Sequence, residues 1–213
     1  MNILITAGPT REYLDDVRYL SNASSGRMGY ALAAAAIERG HSVVLVSGPV
    51  SIPVPAGCDV VHVESTEQMY DACVARFAEC DGAIGTAAVC DYRIKNRFAG
   101  KIGKTGQSLT LELMETIDVL AELGRQKGNR WIVGFALESQ DARYNAVRKL
   151  YQKNCDAIVL NSPQVISSEE TAVDLIDQSE TVIEHWSGSK TAVARLLINW
   201  IDGHLHRGAK GEG

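Results

Sequence analysis

Residues 21–46 read SNASSGRMGYALAAAAIERGHSVVLV, and this stretch decides the fold. Polar residues and Gly26 lead into an alanine-rich helical pattern over 27–39, and the apolar run Val43–Val46 follows it. A short, continuous apolar run after an amphipathic helix is typical of a buried parallel strand. The stretch therefore predicts a helix that packs on a sheet and leads the chain into its next parallel strand.

The same alternation extends along the rest of the chain. Helical patterns cover 27–39, 66–79, 117–127 and 141–153. Short apolar runs lie between them at Ile3–Thr6, Val43–Val46, Val60–Val63, Ala83–Ala88, Leu109–Leu113, Ile132–Leu137 and Ala157–Leu160. Strands that alternate with helices predict βαβ units and a mostly parallel sheet covered on both faces. We expect an α/β, Rossmann-like fold with three layers.

The C-terminal part departs from this alternation. Ala172–Asp177 and Thr181–Trp186 flank the turn Gln178-Ser179-Glu180, which predicts an antiparallel hairpin appended to one edge of the sheet. A closing helix is expected from about Ser189 to His204. No repeat or linker divides the chain, so we expect a single domain over residues 1–207 and a frayed tail over 208–213.

Composition and charge argue against several classes of protein. The chain has 213 residues, of which 46% are hydrophobic and 22% charged, as in ordinary globular proteins. A net charge of −5 argues against nucleic acid as a partner. No apolar run approaches the roughly 18 residues of a membrane span, and no signal peptide is recognisable. The five cysteines form no CxxC pair, which predicts reduced thiols and a cytoplasmic location.

Two predicted loops are unusually long, Gly8 to Ser25 and Asp91 to Ser108. Such loops in compact α/β domains are commonly functional or disordered. The second loop follows a central strand, and we call it the flap. It carries five basic side chains, those of Arg93, Lys95, Arg97, Lys101 and Lys104. This charge predicts a mobile segment that covers an anionic ligand.

The start of the first predicted helix is a candidate anion site. Free N–H groups and the helix dipole attract anions at such a position. Only a GxxG pattern is present, so a full dinucleotide fingerprint is missing, and a simply capped helix with packing glycines remains the alternative. The candidate phosphate- or substrate-binding residues are Ser24, Ser25, Gly26, Arg27 and Gly29.

Other candidates each have a structural alternative. Asp91 follows a buried strand, where ligands of open α/β sheets bind, and it either accepts from a base or ribose or caps a turn. Lys149 and Lys153 are four residues apart and therefore on one face of a predicted helix, where they either bind a phosphate chain together or are surface charges. The pair Asp15-Asp16 attracts Mg²⁺ or is solvated. The histidines suggest no metal site, and we expect any Mg²⁺ to be held mainly by nucleotide phosphates.

Taken together, several segments resemble the phosphopantothenoylcysteine synthetase family. They follow the family's order between residues 3 and about 161: Ile5–Glu12, Val17–Asn22, Ser24–Gly29, Leu45–Val50, Ala87–Arg93, Lys101–Lys104 and Val133–Ala136. The resemblance implies a ligase that joins 4′-phosphopantothenate to L-cysteine through an acyl-nucleotide, with CTP or ATP as co-substrate and Mg²⁺. It also implies a homodimer whose site is built partly from both subunits, in a free-standing form whose decarboxylase is a separate partner.

The resemblance also assigns roles to residues of this chain. Asn22 would hold the phosphopantothenate carboxylate with Arg18 nearby, and Lys101 would stabilise charge at the α-phosphate. Lys149 and Lys153 would meet the nucleotide. The rest of the nucleotide pocket would be formed by Gly85, Thr86, Ala87, Asp91, Ile117, Asp118, Val119, Leu120 and Phe135.

The chain departs from the family's pattern at several positions. The family reads Asn-Pro-Asp-Ile where this chain has Thr116-Ile117-Asp118-Val119, and Lys-Ile-Lys-Lys where it has Lys101-Ile102-Gly103-Lys104. Most departures fall in the expected nucleotide pocket, so the choice between CTP and ATP stays open.

Two alternative functions remain. A short-chain NAD(P) reductase would share the alternating fold, but no Tyr-x-x-x-Lys pattern is present, since Arg148 follows Tyr144 at that spacing. A non-catalytic nucleotide-binding partner of a decarboxylase is the other.

Overall fold

The computed structural model describes residues 1–138, 140–161 and 170–205. The strands are β1 (Asn2–Ala7), β2 (Arg11–Tyr13), β3 (Tyr19–Ser21), β4 (Ser42–Ser47), β5 (Asp59–His62), β6 (Gly82–Gly85), β7 (Tyr92–Ile94), β8 (Leu113–Glu115), β9 (Trp131–Leu137), β10 (Ala157–Asn161), β11 (Glu170–Asp177) and β12 (Val182–Ser189). The helices are α1 (Arg27–Glu38), α2 (Thr66–Phe77), α3 (Val119–Arg125), α4 (Ala142–Gln152) and α5 (Lys190–His204).

A sheet of eight strands in the order β12-β11-β10-β9-β6-β1-β4-β5 forms the centre of the fold. Every pairing from β10 to β5 is parallel, whereas β11 and β12 pair antiparallel at the β10 edge. The predicted α/β, Rossmann-like fold and its appended hairpin are therefore confirmed. The tail predicted at 208–213 lies outside the described residues.

Helices cover both faces of the sheet. Successive residues of the central strands point to opposite sides, so each strand contributes side chains to both layers of the core. In β1, Ile3 and Ile5 belong to the core cluster that includes residues of α1 and α5, and Leu4 belongs to the cluster on the other face, with residues of α2, α3 and α4. All three side chains are fully buried. This arrangement explains why the central strands are continuous apolar runs in the sequence. None of the helices in the described ranges is both long and apolar enough to cross a membrane.

The apolar run Leu109–Leu113 was expected to form a strand of the central sheet, and this expectation is wrong. Strand β6 pairs directly with β9, which leaves no place between them for the chain that connects them. The side chains of Leu109 and Leu113 are 55% and 43% exposed, and only Leu113 enters a strand. That strand, β8, pairs with β7 in a two-stranded ribbon.

The two long loops also contain structure that was not predicted. Strands β2 and β3 form an antiparallel ribbon inside the Gly8–Ser25 segment, and β7 lies inside the flap. Helix α3 begins at Val119, later than predicted, because the side chain of Asp118 caps its N-terminus by accepting a hydrogen bond from the Ala121 N–H at 3.0 Å.

Candidate functional site

A cavity of about 1060 Å³ lies at the carboxyl ends of β1, β6 and β9. The chain runs from β1 to β4 on one side and returns to β6 on the other, so this is the switch point of the sheet, where open α/β folds bind ligands. The wall combines the segment before α1, the segment after β6, the start of α3 and one side of α4.

Two glycines allow α1 to begin directly against the sheet. Gly26, at φ +75°, occupies the N-cap position, and no side chain there caps the helix. A Cβ atom at Gly29 would lie 2.5 Å from the Cβ atom of Ala7 and 2.6 Å from the Thr86 Oγ1 atom. Among the described residues no side chain caps the start of α1, which lines the cavity, as an anion site requires.

Hydrogen bonds join the two segments that the sequence singled out. The Asn22 Nδ2 atom donates to the carbonyl oxygen of Val89 at 2.8 Å and lies 3.4 Å from that of Ala88. The Thr86 hydroxyl donates to the carbonyl oxygen of Thr6 at 2.6 Å. Asn22 is thus held beside the end of β6, and Asp91 is exposed on the same wall.

The two predicted nucleotide lysines line the cavity from α4 and its C-terminal end. The Lys149 ammonium donates to the carbonyl oxygen of Phe135 at 2.8 Å, and that of Lys153 lies 3.0 Å from Asp118. Burial, and after it the charge of Lys153, lowers the pKa of Lys149. The site therefore holds two cations close together, near the carboxylates of Glu138 and Asp118. The cavity wall carries more basic than acidic side chains, which favours an additional anion.

Cys90 is the thiol of this wall and is almost fully buried. Its Sγ atom donates to the carbonyl oxygen of Thr10 at 3.4 Å, and burial raises its pKa. A protonated thiol is a poor nucleophile, so we assign Cys90 to the packing of the site.

Arg18 and Lys101 are not on the wall of this cavity. The Arg18 guanidinium donates to Asp15 at 2.5 Å and to the carbonyl oxygen of Ile102 at 3.2 Å. Lys101 is exposed, and its side chain makes no hydrogen bond or ion pair within the described ranges. The structure thus brings Arg18 next to the flap, apart from the cavity that contains Asn22.

The remaining predicted residues, Ser24, Ser25, Arg27, Gly85, Ala87, Ile117, Val119 and Leu120, all line the cavity. Asp15 was considered only as a Mg²⁺ ligand or as a solvated acid, and the solvated alternative is wrong for it, because a loop acid with an acidic neighbour gives no sign of burial. It is fully buried, whereas Asp16 is exposed and pairs with Arg97 at 3.0 Å. Arg148 and Lys190 also line the cavity and were missed. Little in the sequence pointed to either: Arg148 precedes Lys149 of the predicted lysine pair, and Lys190 is the first residue of α5.

Within the part of the chain that the structure describes, no three His, Cys, Asp or Glu side chains are arranged to hold a metal ion.

Comparisons with known proteins extend over nearly the whole chain. Residues 1–204 match the family described as DNA/pantothenate metabolism flavoprotein C-terminal domain. The coenzyme A biosynthesis bifunctional protein CoaBC of Bacillus subtilis (strain 168) is 46% identical over 161 residues, which are 75% of this chain and 40% of that protein. CoaBC of Vibrio vulnificus (strain YJ016) is 43% identical over 208 residues, 94% of this chain and 51% of that protein. The chain thus spans about half the length of the curated relatives it matches.

Solved structures agree with these matches. The crystal structure of the C-terminal domain of CoaBC superposes with a TM-score of 0.82 at 35% identity, covering 97% of this chain and 96% of that one. A mutant of Cab2 in complex with phosphopantothenate-cysteine superposes with a TM-score of 0.75 at 16% identity, covering 96% of this chain and 86% of that one. At that identity the second likeness concerns the fold alone.

Proposed function

Because the chain belongs to the family of the DNA/pantothenate metabolism flavoprotein C-terminal domain, we propose that it is the phosphopantothenate–cysteine ligase of coenzyme A biosynthesis. The observation that carries this proposal is the cavity at the switch point, which Asn22, the start of α1 and two lysines all line. Such a site suits a polyanionic co-substrate and a carboxylate. The printed names of the CoaBC relatives support coenzyme A biosynthesis as the setting.

The proposed reaction has two steps. The carboxylate of 4′-phosphopantothenate attacks the α-phosphorus of CTP or ATP, the bond to pyrophosphate breaks, and an acyl-nucleotide forms. The amine of L-cysteine then attacks the acyl carbon, and the nucleoside monophosphate leaves with the electrons of the broken C–O bond. Neither step needs a covalent bond to the protein, so catalysis depends on positioning and on stabilisation of negative charge.

The positions of the residues on the cavity wall support a separate binding role for each group of them. Gly85, Thr86, Ala87 and Asp91 bind the base and sugar, and Lys149 and Lys153 bind the phosphates. Asn22 holds the carboxylate that becomes the acyl group. Lys101 reaches the α-phosphate when the flap closes or when a second copy of the chain presents it, in a homodimer.

Mg²⁺ would be held mainly by the nucleotide phosphates. Bound Mg²⁺ commonly uses only one or two carboxylates in addition to phosphates and water. A site held mainly by phosphates agrees with the described residues, among which no three His, Cys, Asp or Glu side chains are arranged to hold a metal ion. When bound, Mg²⁺ would supply neutralisation of the charge on the triphosphate.

A pyrophosphate assay tests this function. With 4′-phosphopantothenate and L-cysteine present, we expect release of pyrophosphate from CTP or from ATP, and the faster of the two identifies the co-substrate. Omitting L-cysteine should leave a single turnover, since the acyl-nucleotide then accumulates. Nucleotide binding without any release of pyrophosphate would contradict the ligase and favour a non-catalytic partner of a decarboxylase, free-standing or fused. We expect the reaction in the cytoplasm.

The lowered pKa of Lys149 predicts how nucleotide affinity depends on pH. Only the protonated ammonium attracts phosphate, so affinity is full below the lowered pKa and falls as the pH rises through it, before the ordinary lysine value of 10.5. Lys149→Met should weaken binding at neutral pH and flatten the part of the decline that precedes pH 10.5. Calorimetric titration with the nucleotide measures both effects. Parallel pH curves for the two proteins would contradict the assignment.

A further inference from the structure

A buried carboxylate fastens the flap to the loop between β2 and β3. The Oδ1 atom of Asp15 accepts hydrogen bonds from the backbone N–H groups of Val17 at 2.8 Å and Arg18 at 2.7 Å. Its Oδ2 atom accepts from the Ile102 N–H at 3.0 Å and from the Arg18 guanidinium at 2.5 Å. The four donors compensate the burial of this charge, because hydrogen bonds to an ionised acceptor are the strong ones.

Arg18 completes the attachment. The same Nη1 atom that binds Asp15 also donates to the Ile102 carbonyl oxygen at 3.2 Å, so both backbone polar groups of Ile102 are bound. Burial alone would raise the pKa of Asp15, but the hydrogen bonds from Ile102, Arg18 and Val17 outweigh it and hold that pKa below its ordinary value. Asp15 therefore stays ionised at neutral pH and keeps this geometry. We call Asp15, Arg18 and Ile102 the latch.

The latch holds the residue that directly follows Lys101. Gly100 and Gly106 have positive φ angles of +68° and +77°, and a Cβ atom at either, or at Gly103, would touch nothing within 4 Å. From Lys101 to Lys104, the hydrogen bonds to the rest of the described chain all involve Ile102. Of the two neighbours of Lys101, Ile102 is held on both backbone polar groups by Asp15 and Arg18, whereas Gly100 only accepts a long hydrogen bond from the Asp16 N–H, at 3.5 Å.

We propose that Asp15 is a positioning residue for the ligase reaction: by binding Ile102, and Arg18 beside it, it holds the segment that presents Lys101. This inference rests on the proposed function. A displacement of about 1 Å of a reacting or stabilising group costs on the order of 10²-fold in rate, so loss of the latch should lower kcat more than it raises KM.

A double-mutant cycle with Asp15→Asn and Lys101→Gln tests the proposal. Asp15→Asn alone should slow pyrophosphate release about 10²-fold. In the Lys101→Gln background it should cost no more than about a further threefold, because a residue that acts through Lys101 has no effect once that lysine is gone. A second variant, Ile102→Pro, removes the N–H that Asp15 binds and should behave in the same way without altering the buried acid.

Asp156→Asn is the matched control. Asp156 also accepts from a backbone N–H, that of Ile132 at 2.7 Å, and from the ammonium of Lys127 at 2.8 Å, but it lies at the amino ends of β9 and β10. Its replacement should lower the unfolding temperature without changing kcat. Losses for Asp15→Asn that multiply with those of Lys101→Gln, or unchanged turnover in Asp15→Asn, would overturn the proposal.

Hydrogen exchange separates this proposal from the proposed function. Asp15→Asn should speed exchange of the Ile102 amide by about tenfold or more, because a hydrogen bond to a charged group is lost, and Asp156→Asn should not. If the wild type releases no pyrophosphate while the Ile102 amide behaves as expected, the ligase reaction is wrong and the latch is present. Unchanged exchange in Asp15→Asn refutes the latch whatever the activity is.

Discussion

Replacing Lys101 by glutamine is expected to slow pyrophosphate release by about 10²–10³-fold, the usual cost of one lost transition-state donor. The Lys101 side chain is exposed and lies off the wall of the cavity. It can therefore contribute little to the first encounter with the nucleotide and most when the α-phosphate gains charge. The expected result is a lower kcat with nucleotide affinity nearly unchanged, measured by single-turnover assay and calorimetry.

Lys95→Gln is the control for this experiment. Lys95 is exposed on the same flap, but its ammonium pairs with Glu112 at 2.6 Å, so its removal should hardly change turnover. Equal rates for the wild type and Lys101→Gln would refute the role of Lys101. A rise in KM at constant kcat would instead show that Lys101 binds the substrate and the transition state equally well, and is a binding residue.

Gly29→Ala should damage both the stability and the site. The new methyl group would overlap Ala7 and the Thr86 hydroxyl, so α1 must move away from the ends of β1 and β6. Overpacking of this kind costs about 1–3 kcal/mol in the free energy of unfolding. Because the start of α1 lines the cavity, kcat/KM should also fall by about tenfold or more. Urea denaturation and the pyrophosphate assay measure the two effects.

Gly203→Ala is the matched control, since it is also a helical glycine. It lies in α5, where a Cβ atom would meet nothing within 4 Å. This substitution should stabilise the protein by about 0.5–1 kcal/mol, because the unfolded chain loses conformational freedom. If Gly29→Ala were as harmless as Gly203→Ala, close packing between α1 and the sheet would not shape the site.

The central sheet could be predicted because its strands are buried on both faces and therefore leave continuous apolar runs. The ribbons β2–β3 and β7–β8 could not, since each strand has three residues and little apolar surface to bury. The run Leu109–Leu113 misled because it has the alternation of a strand. Whether such a run joins a sheet depends on which edges are open, and this is decided by pairings far away in the sequence.

For the site, the closeness of the Asn22 and Asp91 segments could be predicted from the fold. Asn22 and Asp91 lie in segments that border neighbouring parallel strands, and the carboxyl ends of such strands meet at one edge. The latch could not be predicted, because Asp15 and Ile102 are 87 positions apart and neither belongs to a periodic pattern. The roles given to Asn22, Lys101 and the nucleotide-pocket residues stay predictions until the assays above are made.

The raised pKa of Cys90 affects its redox chemistry, and the other four cysteines share this property. Burial raises the pKa of all five cysteines, that of Cys80 to about 11. Mixed disulfides form by attack of a thiolate, so these side chains exchange slowly at neutral pH. The proposed ligase takes L-cysteine into its cavity. Thiols that exchange slowly would keep such a protein from forming a mixed disulfide with cystine, the oxidised form of that amino acid.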